Sequence, residues 1–203
     1  MYKVFFKQVI DFYLAFILII FFSPLMLLIS LILYILFGSP LYFQKRPGYA
    51  NKTFTIYKFK TLVDKKCRVY RFNKKTFKFG IFLRKTGMDE LPQLVNILRG
   101  EMSFIGPRPL LLQYLKLKQF INHPRSKCTP GITGLAQIKN KKINKKHKWK
   151  QQLDADKFYY ENLSLILDFK ILVGTIFKLL LLNNKEDYLV ERPLDKNFFD
   201  QNN

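Results

Sequence analysis

From Phe12 to Phe37 the chain carries no charged residue, and nearly every position is Phe, Leu, Ile, Tyr or Ala. Nothing else in the sequence limits the fold so strongly. A straight helix of about 26 residues would be roughly 39 Å long, more than a hydrocarbon core of about 30 Å requires. The run is too long for a cleavable signal peptide, and no small-x-small site follows it. Two readings remain, a helix that crosses the bilayer and one that enters and turns back. Ser23-Pro24 lies mid-run, where Pro removes a backbone donor and bends a helix. Each half is then about 12–13 residues, roughly 18–20 Å, enough to enter one leaflet and return. Ser23 is placed to bond a carbonyl that the proline leaves free. Lys3 and Lys7 precede the run, and Lys45, Arg46, Lys52, Lys58 and Lys60 follow it. Basic flanks on both sides favour a cytoplasmic position for both ends. On the residues alone the two readings are evenly matched.

The remainder of the 203 residues suffices for one domain. Thr53–Thr61 alternates β-formers with polar residues and predicts a strand or hairpin arm. Val63–Lys78 is basic and irregular, and reads as an exposed loop. Asp89–Leu98 predicts a helix stopped by Gly100. Gly106–Pro109 and Thr129–Gly134 are dense in Gly and Pro and read as loops. Leu110–Ile121 has a helical pattern. Leu163–Leu182 is apolar but interrupted by Asp168, Lys170 and Lys178, which predicts an amphipathic helix in a membrane interface, with a buried core helix as the alternative. The expected fold class is mostly α with a small β element (α+β).

A net charge of +21, carried mostly by Lys, draws such a chain to anionic lipid headgroups, nucleotide phosphates or nucleic acid. Lys139–Lys150 holds seven Lys in twelve residues. Its one aromatic, Trp149, is a poor stacking platform, so a solvated loop is expected and nucleic acid is not. Cys67 and Cys128 show no metal-ligand spacing and fit a reducing compartment.

Against that charge, the only acids between Phe12 and Leu153 are Asp64, Asp89, Glu90 and Glu101. Asp89 and Glu90 are adjacent and have basic neighbours. As a structural feature, the pair would offset a helix dipole, with Asp89 as N-cap and Pro92 in the first turn. As chemistry, neighbouring helical positions point about 100° apart, giving the carboxylates separate tasks. One can attack phosphorus while the other holds a divalent cation against the same phosphates.

Five motifs occur in order: Gln44-Lys-Arg-Pro-Gly48, Tyr57-Lys-Phe-Lys-Thr61, Met88-Asp-Glu-Leu-Pro-Gln93, Gly100-Glu-Met-Ser-Phe-Ile-Gly-Pro-Arg-Pro109 and Pro130-Gly-Ile-Thr-Gly-Leu-Ala-Gln137. With them the chain closely resembles the small monotopic phosphoglycosyl transferases, the PglC-like bacterial sugar transferases, from its N-terminus to about Leu182. The resemblance implies transfer of a sugar 1-phosphate from a UDP-sugar to polyprenyl phosphate, releasing UMP. It implies that Asp89 is the nucleophile of a covalent intermediate and that Glu90 helps bind Mg²⁺. It implies substrate contacts from Lys60, Arg84, Arg108, Gln137, Lys141, Asp156 and Tyr159, and a re-entrant break at Ser23 and Pro24. The organisation it implies is a membrane hairpin over residues 1–40, a catalytic domain with interfacial helices over 41–182 and a polar tail over 183–203. The implied location is the cytoplasmic face of a bacterial inner membrane. Expected partners are the two substrates, anionic lipids and downstream glycosyltransferases. Two departures stand out: Leu135 where the family commonly has Trp, and Lys139-Asn140-Lys141 where it has Asn-Gly-Arg, so that Lys141 keeps the charge of a diphosphate-binding Arg without its fork. The competing readings are a membrane-anchored basic scaffold without catalysis and a homologue that has lost activity.

Overall fold

The structure, a computed structural model, describes residues 6–62, 75–139 and 148–181. It is mostly helical with two small sheets, as the sequence predicts. Helix α1 spans Lys7–Phe37 and runs through Pro24, so the expected interruption of the helix is absent. The reason is local. Pro24 has no N–H for the carbonyl of Ile20, four residues back, and Ser23 Oγ donates to that carbonyl at 2.9 Å instead. Gly38, in the left-handed region at φ 72°, ends the helix with its N–H on Tyr34 O. By length and composition α1 is able to cross a membrane, and most of its apolar side chains are exposed.

Both ends of α1 nevertheless pack on the rest of the chain. Ala15 joins a core with Phe54, Ile56, Leu94, Ile97 and Met102. Ile29, Leu33 and Phe37 form another with Phe59 and Leu83. Near its start, Lys7 Nζ meets Asp168 Oδ2 at 2.6 Å.

Strands β1 (Leu41–Pro47) and β2 (Thr53–Phe59) form an antiparallel hairpin with Leu41 opposite Phe59 and Pro47 opposite Thr53. The period-2 reading of this stretch holds. Helix α2 (Lys75–Thr86) takes over the last residues of the expected loop, whose positions 63–74 lie outside the described residues. It crosses the end of β2 at Gly80, where a Cβ would lie 2.5 Å from Thr61 O. The expected helix at Asp89–Leu98 divides into a 3₁₀ helix over Met88–Gln93 and α3 (Leu94–Leu98), with Gly100 beyond it at φ 71°. Pro92 explains the division, since it lacks the N–H that an α-turn would give to Met88.

Strand β3 (Ser103–Ile105) pairs in parallel with β4 (Gly131–Thr133). Half of the loop expected at Thr129–Gly134 is therefore a strand. The glycines there serve close backbone approach, because a Cβ on Gly131 would stand 2.1 Å from Gly106 N. Leu110–Ile121 is only partly helical, as a 3₁₀ turn at Leu112–Lys116 and α4 (Lys118–Ile121). A 3₁₀ turn at Pro124–Lys127, α5 (Leu135–Lys139), α6 (Lys148–Glu161) and α7 (Leu165–Leu181) complete the order. Helix α7 forms where Leu163–Leu182 predicts a helix: Leu165, Ile166, Phe169, Ile176 and Phe177 are exposed along it, and Ile171 is buried. Positions 140–147 of the lysine run and the tail from Asn183 lie outside the described residues.

Candidate active site

Three local features bring the acid pair to the hairpin. Thr86 Oγ1 donates to Phe82 O at 2.9 Å at the end of α2, and Gly87, at φ 71°, reverses the chain there. Gly87 also stands at the N-cap of the next helix, without a side-chain cap, so Asp89 is not the N-cap that the structural reading expected. Asn96, fully buried on α3, then ties this segment to β2. Tyr57 N donates to Asn96 Oδ1 at 3.1 Å, and Asn96 Nδ2 donates to Thr55 O at 2.7 Å. The tie sets Lys58 beside Glu90.

Lys58 Nζ lies 2.7 Å from Glu90 Oε1, and an Arg108 guanidinium nitrogen lies 3.5 Å from the same oxygen. Asp89 is buried. Desolvation first, and the charge of Glu90 second, raise its pKa from 3.8 to about 6, against the opposing pull of Lys58, Arg108 and Arg84. At neutral pH it is therefore a dehydrated yet ionised carboxylate, more basic than a free one. Beside it a cleft runs between Lys58 and Arg46 of the hairpin, Glu90, Gln93, and the Arg108-Pro109 segment. Gln93 Nε2 is buried there without a hydrogen-bond partner.

Of the residues singled out in the sequence, Asp89, Glu90, Arg84 and Arg108 come together. Lys60 lies past the end of β2, half-buried, its backbone N–H on Pro40 O at 2.8 Å. The lysine on Glu90 is Lys58; strand alternation does not single it out, since Lys60 shares its parity with the buried Phe54 and Ile56. Gln137 lies on α5, its side-chain amide atoms buried without partners. Asp156 and Tyr159 are buried within α6 and belong to other networks. Asp156 Oδ2 is 3.4 Å from an Arg125 nitrogen, and Tyr159 Oη is 2.7 Å from Asp168 Oδ1. Lys141 lies outside the described residues. Arg46 and Arg125, both buried, were not singled out as site residues.

No cluster of three or more His, Cys, Asp or Glu occurs among the described residues, so a closed protein cage for a metal is not formed there. Mg²⁺ does not need one: it binds through one or two carboxylates and takes its other ligands from phosphates and water. The all-oxygen donors of Asp89 and Glu90 fit that chemistry.

Paired carboxylates among arginines and a lysine, at an open cleft, are the equipment of an enzyme that handles phosphate esters. The family described as bacterial sugar transferase matches residues 2–181. An uncharacterized sugar transferase, EpsL, of Bacillus subtilis is 42% identical over 147 residues, covering 70% of this chain and 71% of its own. A UDP-glucose:undecaprenyl-phosphate glucose-1-phosphate transferase of Caulobacter vibrioides is 33% identical, covering 88% of this chain and 71% of its own. A protein of the same description from Klebsiella pneumoniae is 34% identical over 85% of this chain, which spans only 40% of that relative. The chain belongs to the bacterial sugar transferase family. It is a phosphoglycosyl transferase.

Proposed function

We propose that the protein transfers a sugar 1-phosphate from a UDP-sugar to polyprenyl phosphate through a covalent intermediate on Asp89, as the first membrane step of glycoconjugate assembly. The observation that carries this reading is the division of labour in the acid pair. Glu90 is ion-paired to Lys58 and Arg108, while Asp89 is desolvated with its pKa raised to about 6. A stripped, basic carboxylate is a nucleophile. Two relatives are described as UDP-glucose:undecaprenyl-phosphate glucose-1-phosphate transferases, which makes UDP-glucose and undecaprenyl phosphate the first substrates to try.

In the first half-reaction an Asp89 carboxylate oxygen attacks the phosphorus that bears the sugar. The bond from that phosphorus to the bridging oxygen breaks, and the electron pair leaves with UMP. A phosphate oxygen of the polyprenyl phosphate then attacks the same phosphorus. The Asp89–phosphorus bond breaks, the carboxylate is restored and polyprenyl-diphosphate sugar departs. Arg84 and Arg108 offset the charge of the diphosphate and hold it at Asp89. Glu90, with Asp89 beside it, would hold Mg²⁺, which when bound would supply Lewis-acid stabilisation of the phosphate charge.

Several features favour a re-entrant α1 at the cytoplasmic face of a bacterial inner membrane. Its N-terminal half and its C-terminal half both pack on the same domain. The Lys7–Asp168 pair would have to be carried to the opposite face if α1 crossed. The exposed apolar side of α7 completes a surface suited to the bilayer interface.

The test is UMP release from a panel of UDP-sugars with and without undecaprenyl phosphate, with peptide mapping after UDP-sugar alone. Wild type should leave a phosphosugar on the Asp89 peptide, and Asp89→Asn should neither label nor turn over. A folded, membrane-bound Asp89→Asn protein turning over at near wild-type rate would end the reading.

A further inference from the structure

The segment that delivers Arg108 to Glu90 cannot hold itself. Gly106-Pro107-Arg108-Pro109 contains two prolines, which have no N–H to give, so its carbonyls are its main handles. Two buried guanidiniums grip them. Arg46 donates from one nitrogen to Pro109 O at 3.2 Å and from another to Gln44 Oε1 at 2.7 Å. Arg125 donates to the carbonyl of Arg108 itself, and another of its nitrogens is ion-paired with Asp156 at 3.4 Å. Just upstream, Tyr159 shares its hydroxyl hydrogen between Asp168 Oδ1 and the carbonyl of Ile105, at 2.7 and 3.1 Å.

Asp156 and Tyr159 stand three residues apart and therefore share a face of α6. That face bears on both ends of the Ile105–Arg108 segment. Both residues are 1% exposed and Arg125 is 9% exposed, which leaves little surface for a substrate to touch. Burying a guanidinium and a carboxylate costs several kcal/mol per ion unless each is paired and further bonded. Here Arg125 hydrogen-bonds the carbonyl of Arg108, while the two atoms that face each other across the ion pair, an Arg125 nitrogen and Asp156 Oδ2, make no hydrogen bond and are held by charge alone.

We infer that Arg125, backed by Asp156, is a positioning residue that sets Arg108 against Glu90, and that Asp156 acts on the reaction only through it. Tyr159 holds the other end of the segment in the same way. The inference rests on the proposed transferase reaction in giving Arg108 a task at the diphosphate. It replaces the substrate contacts that the resemblance implies for Asp156 and Tyr159 with a role one step removed.

A double-mutant cycle on the full chain in lipid nanodiscs tests it. Arg125→Lys keeps the charge and loses the fork. It should lower kcat for UMP release by about 10- to 100-fold with KM for the UDP-sugar changed far less, as expected when a catalytic group is misplaced by about 1 Å. Asp156→Asn, a milder change, should move kcat in the same direction. In an Arg108→Ala background neither substitution should cost anything further. Losses that multiply in that background would overturn the inference, as would Arg125→Lys losses that follow only the folded fraction measured by circular dichroism. The Arg108 Nε–H resonance, assigned by its disappearance in Arg108→Ala, reports on the same contact without turnover. It should shift in both Arg125→Lys and Asp156→Asn, and an unmoved resonance would sink the strut. If wild type releases no UMP from any UDP-sugar, the transferase reading falls, and the resonance alone decides whether Arg125 positions Arg108.

Discussion

Lys58 Nζ lies 2.7 Å from Glu90 Oε1, and that pairing gives two adjacent carboxylates unlike surroundings. Lys58→Met would leave half-buried Glu90 without its nearest cation and remove the first of the charges that hold down the Asp89 pKa. Its kcat should fall by at least about 10-fold, the order of loss when a preorganised charge is deleted from a site. Lys60→Met tests the neighbouring lysine implied by the resemblance. A larger loss there than at Lys58 would reverse the assignment.

The raised pKa of Asp89 is also a statement about stability. With a folded pKa of about 6 against 3.8 in the free residue, the ionised group destabilises the fold above that range. The cost begins to fall as pH drops through about 6, where the folded protein takes up the proton, and is gone only below the free value of 3.8. A shift of that size corresponds to roughly 3 kcal/mol at about 1.4 kcal/mol per pH unit. Asp89→Asn should therefore melt above wild type at pH 7.5 in EDTA, and the gap should shrink as pH is lowered to 5. A helix cap would respond differently, since Asn caps about as well as Asp and the variant would melt close to wild type at every pH. Thermal melts in nanodiscs across that pH range distinguish the two.

Ser23 and Pro24 should be coupled. With Pro24 present, Ser23→Ala strips Ile20 O of its donor in an apolar setting, at a cost of about 1 kcal/mol or more. In a Pro24→Ala background the restored N–H takes that carbonyl, and Ser23→Ala should become nearly neutral. Equal losses in the two backgrounds, read from unfolding in nanodiscs, would show that the hydroxyl serves something else.

Topology has its own measurement. Single cysteines at positions 3 and 52, in a background lacking Cys67 and Cys128, should label from the same side of sealed vesicles. A thiol replacing Lys3 that labels only from the periplasmic side would establish a crossing helix. A fluorophore on Phe169→Cys in α7 should show blue-shifted emission and quenching by brominated lipid, whereas one on Lys157→Cys in α6 should report water. Water-like emission at both positions would detach α7 from the bilayer.

What the sequence made legible is what a local pattern encodes. An uncharged run gives α1, alternation gives β2, and adjacent acids among many cations give Asp89 and Glu90. Long-range pairings of short elements were not legible. β3 and β4 are three residues each and pair across an intervening stretch of chain, so Gly131 looks like turn punctuation although its task is to let two backbones touch. Arg125 looks like one basic residue among many until the carbonyl of Arg108, 17 positions earlier, is seen at its guanidinium. Asp156 and Tyr159 could be placed at a working site by resemblance, but only packing shows them bearing on a loop.

The small parallel ladder has a mechanical consequence. Gly106 N donates to Thr133 O at 2.9 Å, and Thr133 Oγ1 meets Thr175 Oγ1 on α7 at 2.7 Å. The loop that carries Arg108 and the helix that exposes Phe169 and Phe177 are thus joined at Thr133, and if that helix lies against lipid they become two arms of one lever. Any bilayer or detergent that tilts the outer arm should throw the inner one out of true, and such an enzyme would lose its rate in a poorly matched micelle well before it lost its fold.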